Sequence, residues 1–249
     1  MKINVCYKQY DISQIETRGD NLLNILNHIK TTQNNSLAYR SGCRSGVCGS
    51  CAVRVNGVEK LACKAHIKQD DNIEPLKNTQ VIKDLVVDLS NQEKFLKIAK
   101  ANLEQKSDEP ITIEDEKAID IESNCILCNS CFSSCPVYEV NPEFIGPFAL
   151  TRAYRYVNDK KENDKKNKID SVQSNGVWDC TLCGNCDMVC PERIPIKNDI
   201  MMLRNTSAQF GYMDPNFASF QGDQGFDGGF NNDFLGNQDF NGFNPSSGF

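Results

Sequence analysis

Two copies of one cysteine pattern constrain the fold of this chain more than any other feature. Both copies read C-x2-C-x2-C-x3-C-P, and their cysteines are Cys125, Cys128, Cys131, Cys135, Cys180, Cys183, Cys186 and Cys190. The chain has 13 cysteines, an odd number, and its N-terminus MKINVCYKQY lacks the apolar run of a signal peptide, which argues against disulfides. Two histidines are too few for several mixed zinc sites. The pattern therefore indicates reduced cysteines that bind metal.

The repeated spacing is typical of bacterial-type ferredoxin domains with two [4Fe–4S] clusters, where the fourth cysteine of each run ligates the other cluster. We therefore predict that the first [4Fe–4S] cluster is held by Cys125, Cys128, Cys131 and Cys190. The remaining cluster is predicted to be held by Cys135, Cys180, Cys183 and Cys186. This cross-ligation would tie together the two halves of one domain.

A further cysteine group precedes these runs. Its spacing is C-x4-C-x2-C with a distant fourth cysteine, and its members are Cys43, Cys48, Cys51 and Cys63. This is the plant-type [2Fe–2S] arrangement, whereas zinc sites favour shorter paired spacings. The loop also contains Gly42, Gly46 and Gly49, which let backbone N–H groups approach the sulfides without an intervening Cβ atom.

The first hundred residues predict a mixture of strands and helices. KINVCYK alternates like a half-buried strand, with Cys6 in it as a small buried apolar residue. Asp20 is the expected N-cap of a helix whose apolar face includes Leu22 and Ile29. AVRVNGVEKLAC predicts a hairpin with Asn56-Gly57 as its turn, and a helix is expected from about Asp84 to Leu103.

The fold class predicted is α+β. A plant-type [2Fe–2S] ferredoxin domain of the β-grasp type (1–103) precedes a linker (104–118), an all-α bacterial-type ferredoxin domain (119–210) and a disordered tail rich in Gly, Asn and Phe (211–249). The run KKENDKKNK from Lys160 to Lys168 is interpreted as a solvated surface loop.

The chain lacks the motifs of a self-sufficient enzyme. It has no G-x-G-x-x-G and no nucleophile–histidine–acid set, and His28 and His66 are interpreted as structural residues. No window reaches 18 apolar residues, and a net charge of −6 without basic blocks argues against nucleic acid as a partner. Three redox centres without catalytic residues indicate a chain that moves single electrons between partners.

Four stretches together resemble the iron–sulfur subunit of succinate dehydrogenase/fumarate reductase. They are SLAYRSGCRSGVCGSCAVRVNGVEKLACK, IEPLKNTQVIKDLVVDL, CPVYEVNPEFIGPFALTRAYRY and NGVWDCTLCGNCDMVCP, and the match covers roughly residues 1 to 205. The resemblance implies a non-catalytic electron-transfer subunit of an oxidoreductase complex. Its partners would be a flavoprotein with FAD, which interconverts succinate and fumarate, and a membrane anchor that reacts with quinone or quinol. Contact with the membrane would come only through these partners.

Cys183 departs from that resemblance. Most members have another residue at this position, and their third cluster is a [3Fe–4S] held by three thiolates that map to Cys135, Cys180 and Cys186. Our hypothesis is that Cys183 makes the third cluster a [4Fe–4S] of lower potential. The alternative is a [3Fe–4S] with Cys183 unligated. Divergent members with a cysteine-rich anchor similar to heterodisulfide reductase, such as methylmenaquinol:fumarate reductase, share this departure.

The quinone site is a second departure. Where succinate-oxidising members often place Trp and His residues, this chain has Glu139, Val140 and Thr181, so the pocket does not carry over and fumarate reduction is a possible direction. The sequence leaves a free-standing polyferredoxin and a zinc-stabilised interaction module open as other classes. The expected location is the cytoplasmic side of the inner membrane, with co-export to the periplasm beside a twin-arginine partner as the alternative.

Overall fold

The computed structural model describes residues 1–13 and 21–215. Residues Met1–Met213 form one compact unit, and Asp214–Phe249 are a separate unit of which only two residues are described. The predicted disordered tail therefore lies almost entirely outside the described residues. Within the first unit, one hydrophobic core lies under a sheet at the N-terminal end and a second lies among helices.

The N-terminal sheet has five strands in the order β2-β1-β5-β3-β4, of which only β1 and β5 run parallel. The strands are β1 (Lys2–Val5), β2 (Lys8–Asp11), β3 (Ala52–Val55), β4 (Val58–Leu61) and β5 (Asn72–Glu74). Ile3 and Val5 are buried in β1, as the alternating pattern predicts. Asn56 and Gly57 both have positive φ between β3 and β4, which confirms the predicted two-residue turn.

The prediction for Cys6 was wrong in its placement. Cys6 and Tyr7 follow β1 with φ of 48° and 66°, so they form the turn between β1 and β2. Cys6 is half-buried and packs at the edge of the first core. Burial raises the pKa of this thiol to about 11. Its side chain is therefore an inert packing group at neutral pH.

Helix α1 (Leu22–Thr32) packs on the sheet through the predicted apolar face, which includes Leu22 and Ile29. Its N-cap is Asn21, whose side chain accepts a hydrogen bond from the N–H of Asn24, one residue later than predicted. Asp20 itself lies outside the described residues. The shift arises because Asn and Asp cap helices about equally well, so sequence alone does not choose between neighbours.

The long helix predicted from Asp84 to Leu103 was also wrong. Strand β7 (Val86–Val87), which pairs with β6 (Val81–Lys83), occupies its first part, and helix α2 covers only Ser90–Ile98. Leu85 and Val87 are buried in the first core. Phe95 of α2 belongs instead to the second core, so the chain passes from one core to the other just before this helix.

The second half of the described chain is helical, as predicted. Its helices are α3 (Ile113–Lys117), α4 (Asp120–Ser123), α5 (Ser130–Ser133), α6 (Pro147–Asn158), α7 (Lys165–Ser171), α8 (Asn185–Val189) and α9 (Ile196–Gln209), with a 3-10 turn at Pro136–Glu139. The longest pair, α6 and α9, packs together in the second core. The described helices include none that is long and apolar enough to cross a membrane.

The interpretation of Lys160–Lys168 as a solvated loop was wrong. Lys168 is fully buried, and its Nζ lies 3.0 Å from the buried carboxylate of Glu162. The same ammonium group donates to the backbone carbonyls of Lys100, at 2.9 Å, and Asn102. Glu162 in turn accepts hydrogen bonds from the N–H groups of Glu104 and Gln105. Burial alone would raise the pKa of its carboxyl, but these hydrogen bonds and the Lys168 ammonium outweigh burial and lower the pKa to about 2. The start of the predicted linker is thus fastened to the helical half.

Candidate iron–sulfur sites

The hairpin of β3 and β4 brings two cysteines of the first group together. Cys51 directly precedes β3 and Cys63 follows β4 by two residues. Ala62 N–H donates to the carbonyl of Cys51 at 3.0 Å, which continues the ladder between them. Both thiols are buried, and burial raises the pKa of Cys51 to about 11. This pair is the inner side of the predicted [2Fe–2S] site.

The loop before β3 supplies the outer side of that site. Cys43 and Cys48 are exposed. The sulfur of Cys43 accepts from the N–H groups of Ser45 and Val47, both at 3.4 Å, and that of Cys48 accepts from the N–H of Cys43 at 3.4 Å. Hydrogen bonds from the side chain and N–H of Ser45 lower the pKa of Cys43 to about 5.

Glycine makes this wrapping possible. A Cβ atom on Gly42 would lie 2.8 Å from the sulfur of Cys48, inside its van der Waals contact. Gly46 has φ of +91°, a conformation that L-residues rarely adopt. A loop whose N–H groups turn inward on sulfur, above two buried thiols, fits a [2Fe–2S] cluster, because such donors neutralise sulfide and thiolate charge.

The cysteines predicted to hold the first [4Fe–4S] cluster, three from the first run and one from the second, lie together in the structure. Four thiols line one cavity, and they are Cys125, Cys128, Cys131 and Cys190. Burial raises the pKa of all four, most strongly that of Cys131, and the neighbouring thiolates add to the effect. Buried thiols of this kind ionise when a metal supplies positive charge. The cavity and its donors fit a [4Fe–4S] cluster.

The other predicted group is also assembled. Besides burial, the charges of Cys180 and Cys183 raise the pKa of Cys135, and that of Cys180 raises the pKa of Cys186, so these four thiols lie within electrostatic range of one another. Burial is the main cause that raises the pKa of Cys135 to about 11 and that of Cys186 further. Cys183 differs from these three because it is exposed.

The two runs fold alike. Leu127 and Leu182, two residues after the first cysteine of each run, have φ of 52° and 54°. Asn129 and Gly184, which follow the second cysteine, have φ of 64° and 81°. These left-handed residues curl the backbone so that N–H groups point at sulfur, as the N–H of Leu182 does toward Cys180 at 3.4 Å. Short helices α5 and α8 then begin at the next residue.

The three cysteine groups are neighbours in the fold. Gly49, in the first loop, lies so close to the first run that a Cβ atom there would sit 2.8 Å from the Cβ of Cys128. Helix α5, which contains Cys131, packs against helix α8, which contains Cys186. The candidate ligands therefore form a succession from the exposed loop to the second run.

A buried polar network between the two halves was not foreseen from the sequence. The hydroxyl of Ser133 donates to Glu59 at 2.7 Å and accepts from the N–H of Lys77 at 2.8 Å. The side-chain amide of Asn78 donates to the backbone carbonyls of Phe132, at 2.9 Å, and Cys135, at 3.2 Å. These contacts fix the part of the first run that lies between Cys131 and Cys135. Of these residues, only Asn78 could have been noticed in the sequence, because asparagine is common at turn positions with positive φ, here 61°.

The remaining residues singled out in the sequence are at the surface or apart from the cysteines. His28 is half-buried on α1 and His66 is exposed. Glu139, Val140 and Thr181 are exposed, and Val140 is 85% accessible. Within residues 1–13 and 21–215, no group of three or more His, Cys, Asp or Glu is arranged to hold a single metal ion.

Comparison with known proteins agrees with these sites. A family model described as "2Fe-2S iron-sulfur cluster binding domain" matches residues 2–94, and one described as "4Fe-4S dicluster domain" matches residues 122–194. The chain therefore contains a [2Fe–2S]-binding and a [4Fe–4S]-binding domain. The fold is also similar to a chain of the Mycobacterium smegmatis Sdh1 complex, with a TM-score of 0.74 and 23% identity over 86% of this chain and 98% of that one.

Curated relatives cover most of the sequence. The fumarate reductase iron–sulfur subunit of Escherichia coli O6:H1 is 37% identical over 183 residues, which are 70% of this chain and 75% of the relative. The 8-methylmenaquinol:fumarate reductase iron–sulfur subunit of Wolinella succinogenes is 34% identical over 215 residues, 80% of this chain and 67% of the relative. The chain thus belongs to the family of iron–sulfur subunits of fumarate reductase and succinate dehydrogenase, the electron-transfer subunits of those oxidoreductase complexes.

Proposed function

We propose that this chain relays single electrons between a flavoprotein subunit that carries FAD and a membrane anchor that reacts with quinone or quinol. The flavoprotein interconverts succinate and fumarate, and the bound clusters supply one-electron steps. The observation that carries this proposal is the succession of three cysteine groups, in which Gly49 abuts Cys128 and helix α5 packs against helix α8. A chain that only bound partners would have no need for three neighbouring thiol groups.

The proposed ligand sets follow the grouping of the thiols. The [2Fe–2S] cluster takes Cys43, Cys48, Cys51 and Cys63. The first [4Fe–4S] takes Cys125, Cys128, Cys131 and Cys190, whose shared cavity supports the assignment. The third cluster takes Cys135, Cys180, Cys183 and Cys186.

The third cluster is proposed to be a [4Fe–4S] rather than a [3Fe–4S]. Cys183 is close enough to Cys135 and Cys180 to raise the pKa of both thiols. It also follows the left-handed residue Leu182, just as Cys128 follows the left-handed residue Leu127. A fourth thiolate adds negative charge, which lowers the reduction potential, and each shift of about 59 mV changes a one-electron equilibrium tenfold. Because Cys183 is exposed, the proposed third cluster would lie at the surface of this chain, where a partner subunit can cover it.

Iron and acid-labile sulfide per chain, measured with EPR of the oxidised and reduced complex, test this proposal. We expect about ten irons, no three-iron signal after oxidation, and interacting signals from two reduced four-iron centres. About nine irons with a sharp three-iron signal would show that Cys183 is unligated. A colourless chain with bound zinc and no sulfide would contradict the relay altogether.

The anchor is proposed to be of the cysteine-rich type, similar to heterodisulfide reductase. Glu139, Val140 and Thr181 support this, because none of them is the Trp or His expected of the usual quinone pocket. Fumarate reduction is then the favoured direction, and the complex lies on the cytoplasmic face of the inner membrane.

Co-purification from native membranes should recover a flavoprotein and a cysteine-rich partner. Recovery with a four-helix haem-binding anchor would overturn the anchor assignment, and protease treatment of sealed spheroplasts would reveal the periplasmic alternative.

A further inference from the structure

Asp199, near the start of α9, is a fully buried carboxyl that the cysteine sites do not use. The hydroxyl of Thr151 donates to its Oδ2 at 2.9 Å, and both residues are completely inaccessible. Its other oxygen, Oδ1, is buried and has no hydrogen-bond donor among the described residues. An ionised carboxylate with an unsatisfied buried oxygen is costly, so the ionised form is disfavoured here.

A second carboxyl lies beside it. Glu122 of α4 is 7% exposed, and its carboxyl is close enough to Asp199 to raise the pKa of Asp199 and to accept a hydrogen bond once Asp199 is protonated. If both carboxyls are ionised, no proton lies between them and they repel. If Asp199 carries a proton, Oδ1 becomes a donor to Glu122 and the unsatisfied oxygen is explained. Burial, opposed by the Thr151 hydroxyl and reinforced by Glu122, raises the pKa of Asp199 to about 7.

The charged groups around Asp199 reinforce its protonation. Asp187 of α8 is a further negative neighbour, and the phenol of Tyr154 on α6 lies within the field of both carboxyls. The positive charge of Arg152, on α6, opposes the rise that burial gives to the pKa of Cys125, and Lys168 of α7 forms an ion pair with Glu162. The neighbouring helices thus supply Asp199 with negative charge, while these two positive groups are engaged elsewhere.

Thr151 connects this pair of carboxyls to the first four-thiol cavity. Its side chain lines the same cavity as Cys125, Cys128, Cys131 and Cys190, while its hydroxyl binds Asp199. An electron added in that cavity is therefore separated from Asp199 by one side chain in a buried region. Negative charge in a medium of low dielectric stabilises the protonated form of a nearby carboxyl.

We propose that Asp199 is a redox-linked proton-binding site, which takes up a proton when the first four-iron site is reduced. One electron arrives from the reduced partner subunit, one proton arrives from water, and the only bond formed is O–H on Asp199. Oxidation reverses both steps. The inference rests on the ligand set proposed above for the first [4Fe–4S] cluster.

Redox titration of the assembled complex, monitored by EPR, tests this inference. The midpoint potential of the first four-iron signal is measured from about pH 5.5 to pH 8.5, a range that brackets an elevated carboxyl pKa. In the unmodified complex we expect the potential to fall with rising pH, by at most about 59 mV per unit, the value of a tenfold change for one electron. In Asp199→Asn, whose amide can still donate to Glu122, the potential should become independent of pH.

Two further variants keep the result interpretable. Asp170→Asn, a surface change on α7, should keep the full pH dependence, and the [2Fe–2S] signal in the same samples reports on assembly. Thr151→Val removes the donor that favours the ionised form, so the sloping range should move to higher pH. A flat potential in the unmodified complex, or a slope that persists in Asp199→Asn, would overturn the inference. Absence of the four-iron signal in the unmodified complex would instead contradict the ligand set.

Discussion

The two cysteine runs have the same backbone but different surroundings. In each, a left-handed leucine precedes the second cysteine and a left-handed residue follows it, before a short helix begins. At the fourth position of α5, Ser133 is buried and hydrogen-bonded to the N-terminal half. At the matching position of α8, Met188 is 85% exposed. Likewise Cys128 is half-buried against Gly49, whereas Cys183 is exposed.

The contrast separates what spacing determines from what packing determines. The spacing of four cysteines specifies the local curl of the chain, because each sulfur needs inward N–H groups at fixed offsets. It does not specify what covers the site. Here the first run is an interior junction between two cores, while the second presents a cysteine and a methionine at the surface, as a site that meets another subunit would.

The largest expected difference is between Cys128→Ser and Cys183→Ser. Loss of Cys128 removes a ligand from the interior site and disturbs the contact with Gly49, so we expect loss of the whole first cluster. Loss of Cys183 should leave three thiols around the third site, so a three-iron cluster should replace the four-iron one with a loss of about one iron. Iron content and EPR distinguish these results. Equal damage from both changes would contradict the division into an interior and a surface site.

A smaller contrast is expected between Gly49→Ala and Gly184→Ala. Both positions have positive φ, which costs an alanine about 1–2 kcal/mol. Only at Gly49 does the new methyl group also meet backbone, 2.9 Å from the Cα of Cys128, whereas at Gly184 the nearest atom is 3.7 Å away in the Lys197 side chain. Overpacking adds about 1–3 kcal/mol at Gly49.

Urea unfolding, followed through the visible absorbance of the clusters, measures this difference. Gly49→Ala should bleach at a clearly lower urea concentration than Gly184→Ala. If the two alanine variants bleach together, the close approach of the first loop to the first run does not contribute to stability.

The smallest contrast is between Ser133→Ala and Met188→Ala. Ser133→Ala leaves Glu59 and the N–H of Lys77 without their common partner, which costs about 1–3 kcal/mol. Met188→Ala truncates an exposed side chain and should change stability by no more than about 0.5 kcal/mol. The same urea measurement applies. A loss of anchor binding in Met188→Ala without any loss of stability would sharpen the view that the second run faces a partner.

The sequence predicts those parts of the fold that depend on neighbours in the chain. Asn56-Gly57 specifies its hairpin because both residues tolerate positive φ, and the apolar spacing of α1 specifies its buried face. The long helix predicted from Asp84 failed because Leu85 and Val87 turn back into the first core. Lys168 was misread because a lysine in a charged run is normally exposed, and its carbonyl acceptors lie far away in sequence.

The candidate site also combines features that the sequence predicts with features that it does not. Cysteine spacing alone predicts a grouping of twelve thiols, because each group needs only short loops and one distant ligand. The network of Asn78, Ser133 and Glu59 was invisible, since hydrogen bonds between segments more than 50 residues apart leave no periodic signal. The carboxyl of Asp199 was equally hidden, because nothing in IKNDIMML distinguishes a buried aspartate from a surface one.

The buried Lys168 determines where this chain can be divided. Its ammonium group is bound by carbonyls of Lys100 and Asn102, and Phe95 of α2 fills the second core. A fragment that starts at residue 104 would keep every cysteine of the helical half but would leave a buried cation without two acceptors and the second core without the ring of Phe95. A recombinant helical half, or a gene fusion that separates the two halves, therefore has to place its junction ahead of α2.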